Sequence, residues 1–140
     1  MSKKLLRTMM IMIVIIVLAG AGAVYYFLQK NGSGSKGPSI DDVVKTSVDI
    51  SDLTTNLATS NYIKMSFKIQ TDSKAAKDEL TKREFQVRNI MIEELSDTKE
   101  EDLQGKTGKI KLEETLKEKI NQIMQDGKVV QVYITDSLLQ

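Results

Sequence analysis

The sequence predicts an α+β domain of roughly 100 residues behind a single N-terminal transmembrane helix. Two observations predict it. One uncharged apolar run lies near the N-terminus, and the segments after it place apolar residues first at every second position and then at every third or fourth. A last segment returns to the period of two. The predicted order is therefore β-β-α-α-β, with a short helix between the longer ones and all helices on one face of a small sheet.

The uncharged run extends from Met9 to Leu28 and contains 20 residues. As a helix it is about 30 Å long, which matches the hydrocarbon core of a bilayer. We therefore predict a cytoplasmic tail at residues 1–8 and a transmembrane helix at residues 9–28. The aromatic residues at its end suit the depth of the membrane interface. The residues that we expect to anchor the chain include Met9, Ile16, Leu18, Tyr25, Tyr26, Phe27 and Leu28.

A cleaved signal peptide is the alternative interpretation of this run. The small residues from Ala19 to Ala23 resemble a cleavage site near Ala21 or Ala23. However, the apolar region of a signal peptide is about 7 to 15 residues long, and this run continues to Leu28. We therefore expect a retained anchor. In that case the small residues either pack against another helix or face lipid, and the sequence leaves both open.

The charges around the run predict its orientation. Lys3, Lys4 and Arg7 precede it, and basic residues beside a transmembrane helix tend to stay in the cytoplasm. The domain is then outside the cytoplasmic membrane. No residue from Met9 to Leu28 is acidic, basic or His, so we do not expect this helix to conduct ions. Beyond residue 30 the chain carries 16 Lys and Arg against 19 Asp and Glu, a balance that gives no reason to expect nucleic-acid binding.

The segment after the run, residues 29–39, is rich in Gly and Ser and predicts a flexible linker that reaches roughly 15 to 20 Å. The extracytoplasmic domain then occupies residues 40–140. It opens with a predicted hairpin: one strand from about Thr46, turn residues from Leu57 to Asn61, and a second strand from Tyr62 to Gln70. The apolar face of the second strand consists of Ile63, Met65, Phe67 and Ile69.

Apolar residues at helical spacing follow the hairpin. They predict one helix from Ser73 to Leu95, with Asp72 or Ser73 as its N-cap. The spacing of Thr98 and Glu101 is that of a capping box and predicts a short helix that ends at Gly105. A third helix carries the apolar residues from Leu112 to Met124 and stops at Asp126–Gly127. The final strand is predicted to place Val130, Val132 and Ile134 on one face and Gln131, Tyr133 and Thr135 on the other.

The residue inventory argues against catalysis. The chain has no Cys and no His, which excludes disulfides, thiolate or imidazole metal ligands, and Cys or His nucleophiles. Paired acids such as Glu93 and Glu94 are neighbours in a helix and do not face one another. The GKTGK stretch, Gly105–Lys109, lacks the spacing of a phosphate-binding loop and is predicted to be a loop between helices. We therefore expect no enzyme, no cofactor, no metal and no small-molecule substrate.

Four residues are candidates for contact with a second subunit or another partner: Arg88, Val130, Val132 and Tyr133. Arg88 lies beside the apolar positions of its helix, where an arginine either rests its aliphatic part on the surface or reaches a neighbouring subunit. The final strand, together with Tyr62, is expected to leave an exposed sheet edge. Such an edge suits strand addition or side-by-side assembly.

Four stretches resemble the FliL family of membrane proteins of the bacterial flagellar basal body. They are YIKMSFKI at residues 62–69, RNIMIEELS at 88–96, EDLQGKTGKIKL at 101–112 and INQIMQDGKVVQVYIT at 120–135. The resemblance implies a stomatin-like domain that forms rings or other homo-oligomers beside the stator units and supports torque, swimming, swarming and chemotaxis. The first strand, DLTTNLATSN, lacks the proline-phenylalanine pattern of many relatives, which leaves its pairing open. The alternative hypothesis is an anchored or secreted module, unrelated to the motor, that binds a ligand or the cell wall.

Overall fold

The computed structural model describes residues 2–31 and 37–140. They belong to two separate units, of which the first ends at Gly37 and the second begins at Pro38. The first unit contains one long helix, and the second is the predicted α+β domain. The elements are α1 (Lys3–Asn31), α2 (Ile40–Lys45), β1 (Ser47–Asn56), β2 (Tyr62–Thr71), α3 (Lys74–Lys82), α4 (Glu84–Ser96), a 3₁₀ helix (Glu100–Leu103), α5 (Gly105–Asn121) and β3 (Val129–Leu139).

Helix α1 contains the whole predicted transmembrane segment and continues to Asn31. The first three residues of the predicted linker, 29–31, are helical, since no Gly or Pro lies between Leu28 and Gly32 to end the helix earlier. The linker residues 32–36 lie outside the described residues.

The domain begins with α2, a helix that the sequence analysis did not predict. Ser39 caps it, since its Oγ accepts the backbone N–H of Asp42 at 3.2 Å. Six residues are fewer than two helical turns and none of their side chains is buried, so no apolar periodicity marks them.

The three strands form one antiparallel sheet in the order β1-β2-β3. The central strand alternates as predicted: Phe67 on β2 is buried and opposes Ile50 on one side and Ile134 on the other. The helices cover this apolar face, with α4 over β1 and α5 over β3. The core lies between the helices and the sheet and consists of residues such as Ile69, Leu80, Met91, Leu95, Leu116 and Ile120, all fully buried.

Strand β1 contains a bulge that keeps its apolar residues on one face. Ile50 opposes Phe67 and Leu53 opposes Met65, so β1 has one residue more than β2 over this interval. Asp52 adopts a positive φ of 54° at this point, and its N–H donates to Ser66 Oγ at 3.1 Å. The extra residue explains why the buried positions change from even to odd numbers after Ile50.

Strand β3 has irregular register at two points, and one of them corrects the predicted faces. Gln131 opposes Gln70 whereas Val129 opposes Thr71, so Val130 is an extra residue in β3. Val129 takes the buried position instead, and Val130 is exposed. The prediction that Val130 shares the face of Val132 was therefore wrong, because a bulge shifts the alternation by one residue. The strand continues to Leu139, as expected for a final strand near the end of the chain.

The helix predicted from Ser73 to Leu95 is two helices in the structure. Arg83 separates α3 from α4 with φ −89° and ψ 10°. The apolar spacing did not reveal the break, because Leu80 and Val87 are seven residues apart and lie on one face with or without it. Ser73 is the N-cap, with its Oγ accepting the Ala76 N–H at 3.1 Å.

Two helix boundaries near Gly105 also differ from the prediction. Thr98 does not cap the short helix, because its Oγ1 donates to the carbonyl of Glu94 at 2.6 Å, at the end of α4. The short helix is 3₁₀ and is preceded by Lys99. Gly105 does not end it but begins α5, with a positive φ of 71°, so the GKTGK stretch is helical and not a loop.

Candidate interaction surfaces

Helix α1 presents the predicted anchor residues. Between Lys3 and Gln29 it is long and apolar enough to cross a membrane: its most apolar stretch of 18 residues has a mean hydropathy of 2.5, and none of that stretch is buried inside the protein. Its exposed apolar side chains have no protein core to pack against, which is the arrangement expected in lipid. The exposed side chains include all seven predicted anchor residues, Met9, Ile16, Leu18, Tyr25, Tyr26, Phe27 and Leu28.

Arg88 is half-buried and holds two elements of its own domain together. Its Nε donates to Glu84 Oε1 at 3.0 Å, one turn earlier on α4, and its Nη2 donates to the carbonyl of Ser51 at 3.3 Å. Ser51 lies at the β1 bulge, where a backbone carbonyl is available to a side chain. The guanidinium is therefore fixed in position, while part of it stays accessible beside the exposed face of α4.

The predicted contact residues of β3 differ in their exposure to solvent. Val132 is fully buried in the core, so its side chain is not available to a partner and that prediction was wrong. Val130 and Tyr133 are 42% and 43% exposed. The hydroxyl of Tyr133 donates to Gln70 Oε1 at 3.2 Å across the open face of the sheet.

Side chains cover parts of both sheet edges. Tyr62 lies on the central strand and not at an edge. At the β3 edge, Glu113 on α5 accepts the N–H of Ile134 at 2.9 Å, and Asp136 accepts the N–H of Ser137 at 3.0 Å. At the β1 edge, Arg88 Nη2 donates a hydrogen bond to the carbonyl of Ser51. Strand addition needs a row of free backbone groups, and these contacts interrupt that row.

The ion pair between Glu94 and Lys119 shows how α4 and α5 are oriented. It joins the facing sides of the two helices. Its hydrogen bond raises the pKa of Lys119. Phe85 precedes Glu94 by nine residues, about two and a half helical turns, so it lies on the side of α4 away from α5. Ile110 precedes Lys119 by the same interval and lies on the side of α5 away from α4. The two exposed apolar residues therefore face in opposite directions.

The sequence analysis missed Phe85, whose side chain is 73% exposed. With Arg88 and the exposed Ile92 it forms a surface that we call the α4 flank. A signal was present in the sequence: Phe85 falls outside the apolar spacing of Leu80 and Val87 and is a large aromatic residue on a polar helix face. Arg88 is on this flank, whereas Val130 and Tyr133 lie on the strand at the other edge of the sheet. The predicted contact residues thus form two separate surfaces.

A groove lies between the start of α5 and the end of β3, and we call it the terminal groove. Its volume is about 310 Å³. Leu57, Ile63 and Leu103, all buried, form its apolar floor, and the exposed Leu139 forms part of its rim. The polar lining comes from Glu100, Gln104, Lys109 and Ser137.

A second groove lies at the opposite end of the sheet, near α2, with a volume of about 650 Å³. Val130 and Tyr133 line it, but most of its other side chains are polar, among them Asp42, Gln70 and Asp72. Within residues 2–31 and 37–140, no group of three acidic side chains is arranged to hold a metal ion.

The fold and these surfaces define a class of protein: a small α+β domain with exposed apolar residues and an N-terminal helix suited to span a membrane. A family model described as "Flagellar basal body-associated protein FliL" matches residues 47–140. The "Flagellar protein FliL" of Bacillus subtilis (strain 168) is 43% identical over 119 residues, which cover 84% of this chain and 85% of that relative. The chain therefore belongs to the FliL family. This is a flagellar accessory family associated with the basal body, and it is not a family of enzymes.

Proposed function

We propose that the protein is a membrane-anchored scaffold that assembles with itself beside the stator units of the flagellar motor. In this role it supports torque generation, swimming, swarming and chemotaxis. The observation that carries the proposal is the pair of exposed apolar residues, Phe85 and Ile110, on opposite sides of a domain whose family is associated with the basal body. Exposed apolar surface on both sides is what a subunit with two neighbours requires.

The anchor supports this role in two ways. Confinement to the membrane raises the effective concentration of subunits, so weak contacts between domains suffice for assembly. The helix contains no acidic, basic or His residue between Met9 and Leu28, which fits a helper of an ion-driven machine and not its ion-conducting part. We place the N-terminus in the cytoplasm and the domain outside, because Lys3, Lys4 and Arg7 precede the span.

Motor rotation under load tests the proposal. Cells that lack the protein are expected to rotate more slowly at high viscous load, where torque is limiting, and the full-length chain should restore the speed. The matched control is the same domain behind a cleavable signal peptide in place of residues 1–31, which should fail to restore it. Deletion cells that rotate at the wild-type speed at every load would contradict the motor role.

Self-assembly has its own test. The native mass of the full-length chain, measured in lipid nanodiscs or mild detergent, is expected to correspond to an oligomer. A monomer at every protein concentration would contradict the scaffold while leaving the family assignment intact. The anchored or secreted ligand-binding module unrelated to the motor is the weaker hypothesis, because the family is associated with the flagellar basal body.

A further inference from the structure

The α4 flank and the terminal groove have complementary shapes. Phe85 projects from α4 as one of the two most exposed apolar side chains of the domain. The terminal groove has an apolar floor, formed by Leu57, Ile63 and Leu103, that is part of the core itself. One surface is therefore an aromatic projection, and the other is a recess with an apolar floor and a polar rim.

These two surfaces belong to different sides of the molecule. Helix α4 packs on β1, whereas the groove is lined mainly by the start of α5, the 3₁₀ helix and the end of β3. β1 and β3 are the two edges of the sheet. Phe85 also lies on the side of α4 away from α5, so it cannot enter the groove of its own chain.

We propose that Phe85 of one copy inserts into the terminal groove of the next copy, so that subunits join head to tail. This inference rests on the self-assembly proposed above and names the two surfaces that carry it. A contact between unlike surfaces is heterologous and continues from copy to copy until the rotation between subunits closes a ring. Anchoring every copy in the same membrane keeps successive domains at one level, which favours closure over an open helix.

The dimensions of the groove fit the proposed occupant. A cavity of roughly 150 Å³ accommodates benzene, and the terminal groove has about 310 Å³. Burying an exposed aromatic ring removes a large apolar area from water, and such residues commonly dominate the affinity of an interface.

Charge supports the same pairing. Arg88 and its partner Glu84 lie beside Phe85 on α4, and Glu100 and Lys109 both lie on the lining of the groove. Each surface therefore carries one basic and one acidic group, so that Arg88 can pair with Glu100, and Glu84 with Lys109, when Phe85 of one copy enters the groove of another. Arg88 is already held by Glu84 and the Ser51 carbonyl, so little conformational freedom is lost when the contact forms.

Cross-linking of mixed subunits tests the pairing. Because the chain has no native Cys, the introduced cysteines are the only thiols of the protein that can react. Two differently tagged full-length chains, one with Asn89→Cys and one with Leu139→Cys, are expressed together and treated in membranes with a short bismaleimide. Asn89 is exposed and lies one turn after Phe85 on α4, so this substitution keeps the proposed insert. We expect dimers that carry both tags and no dimers when either variant is expressed alone. Dimers from Asn89→Cys alone would show a symmetric α4 contact and overturn the proposal. If the assembly keeps its native mass but yields no mixed dimer, the proposed pairing is overturned as well, although self-assembly stands.

A pair of charge substitutions provides the second measurement. Phe85 and Ile40 are both 73% exposed, and both lie in the first turn of a helix. Phe85→Glu is expected to weaken self-association roughly tenfold or more, as loss of a central interface residue does. Ile40→Glu should leave association unchanged, and both variants should keep the wild-type Tm. Equal association of the wild type and Phe85→Glu, or an equal loss in both variants, would overturn the proposal. A monomeric wild type would contradict the proposed self-assembly itself.

Discussion

The carboxylate of Glu79 accepts the backbone N–H of Asp126 at 2.6 Å, which joins α3 to the turn between α5 and β3. The same carboxylate accepts the Gln125 N–H at 2.9 Å and the Arg83 Nε–H at 2.7 Å. Only 8% of the Glu79 side chain is exposed. One acidic residue thus satisfies two backbone donors beyond the end of α5, where a helix no longer supplies partners.

The first prediction is that Glu79→Gln lowers the Tm by several degrees. The amide keeps the size of the side chain but has one acceptor oxygen and no charge, so at least one of the hydrogen bonds to the turn is lost or weakened. Asp78→Asn is the matched control, because Asp78 is exposed and adjacent on α3. Thermal unfolding of the full-length chain, followed by circular dichroism, measures both. Equal Tm values for Glu79→Gln and the wild type would show that the turn is held without this carboxylate.

The second prediction concerns acid. The pKa of Glu79 lies below its ordinary value of 4.5, mainly because the N–H of Asp126 binds the charged form, with Arg83 and Gln125 adding to the effect. The Glu79 carboxylate therefore binds a proton less readily in the folded state than in the unfolded state. The stabilisation is complete above pH 4.5 and is lost as the pH falls through the pKa of the folded protein. The difference in Tm between the wild type and Glu79→Gln should therefore be constant near neutral pH and narrow in acid. A difference that widens in acid would contradict this account.

Gly127 is the subject of the third prediction. Its φ is 143°, and a Cβ there would lie 2.6 Å from the Ala76 Cβ and 2.7 Å from Asp72 Oδ1. Both neighbours belong to the start of α3, which the turn approaches closely. Gly127→Ala is expected to destabilise the fold by about 2 kcal/mol or more. Gly105→Ala is the comparison: its φ of 71° is close to the left-handed region that other residues can adopt, and nothing lies within 4 Å of the added Cβ, so its effect should be smaller on both grounds. Equal losses in the two variants would contradict this account.

The sequence predicted the sheet and the buried helix faces because periodicity records burial directly. Ile63, Met65, Phe67 and Ile69 alternate as β2 requires, and the apolar positions of α4 and α5 recur at helical spacing. The features that it did not predict are local changes that leave the period unchanged or shift it by one. The break at Arg83 is of the first kind, and the extra residue Val130 in β3 is of the second.

The interaction surfaces were predicted less well than the fold. Arg88 and Tyr133 are accessible, but Val132 is buried and Phe85 was not considered. The orientation of Phe85 depends on which side of α4 faces α5, and the contact between Glu94 and Lys119 that shows this joins residues 25 positions apart. No local pattern contains such information. A large apolar residue outside the buried spacing of a helix is nevertheless a usable signal in a single sequence.

The fourth prediction compares the two phenylalanines of the domain. Phe67 is in the centre of the core and Phe85 is on the surface. Phe67→Ala should destabilise the fold by about 3 to 5 kcal/mol, through lost burial and the cavity that remains. Phe85→Ala should change stability by no more than about 0.5 kcal/mol, as exposed sites do, while it weakens self-association. Denaturant unfolding and native mass separate the two effects. A large loss of stability in Phe85→Ala would show that this side chain supports the fold of its own domain.

The last prediction concerns the orientation of the chain. If α1 is a retained anchor with its N-terminus in the cytoplasm, residues on the two sides of the membrane differ in their access to a reagent that cannot cross it. Ser2→Cys should react with a membrane-impermeant maleimide only after the cells are permeabilised, whereas Glu118→Cys, exposed on α5, should react in intact cells whose outer layers admit the reagent. The wild type, without Cys, is the control for background labelling. Both variants should stay in the membrane fraction after alkaline washing, because the anchor is hydrophobic and not electrostatic. The reverse labelling would overturn the orientation, and a soluble Glu118→Cys chain shortened by about twenty residues would restore the cleaved signal peptide as the correct interpretation.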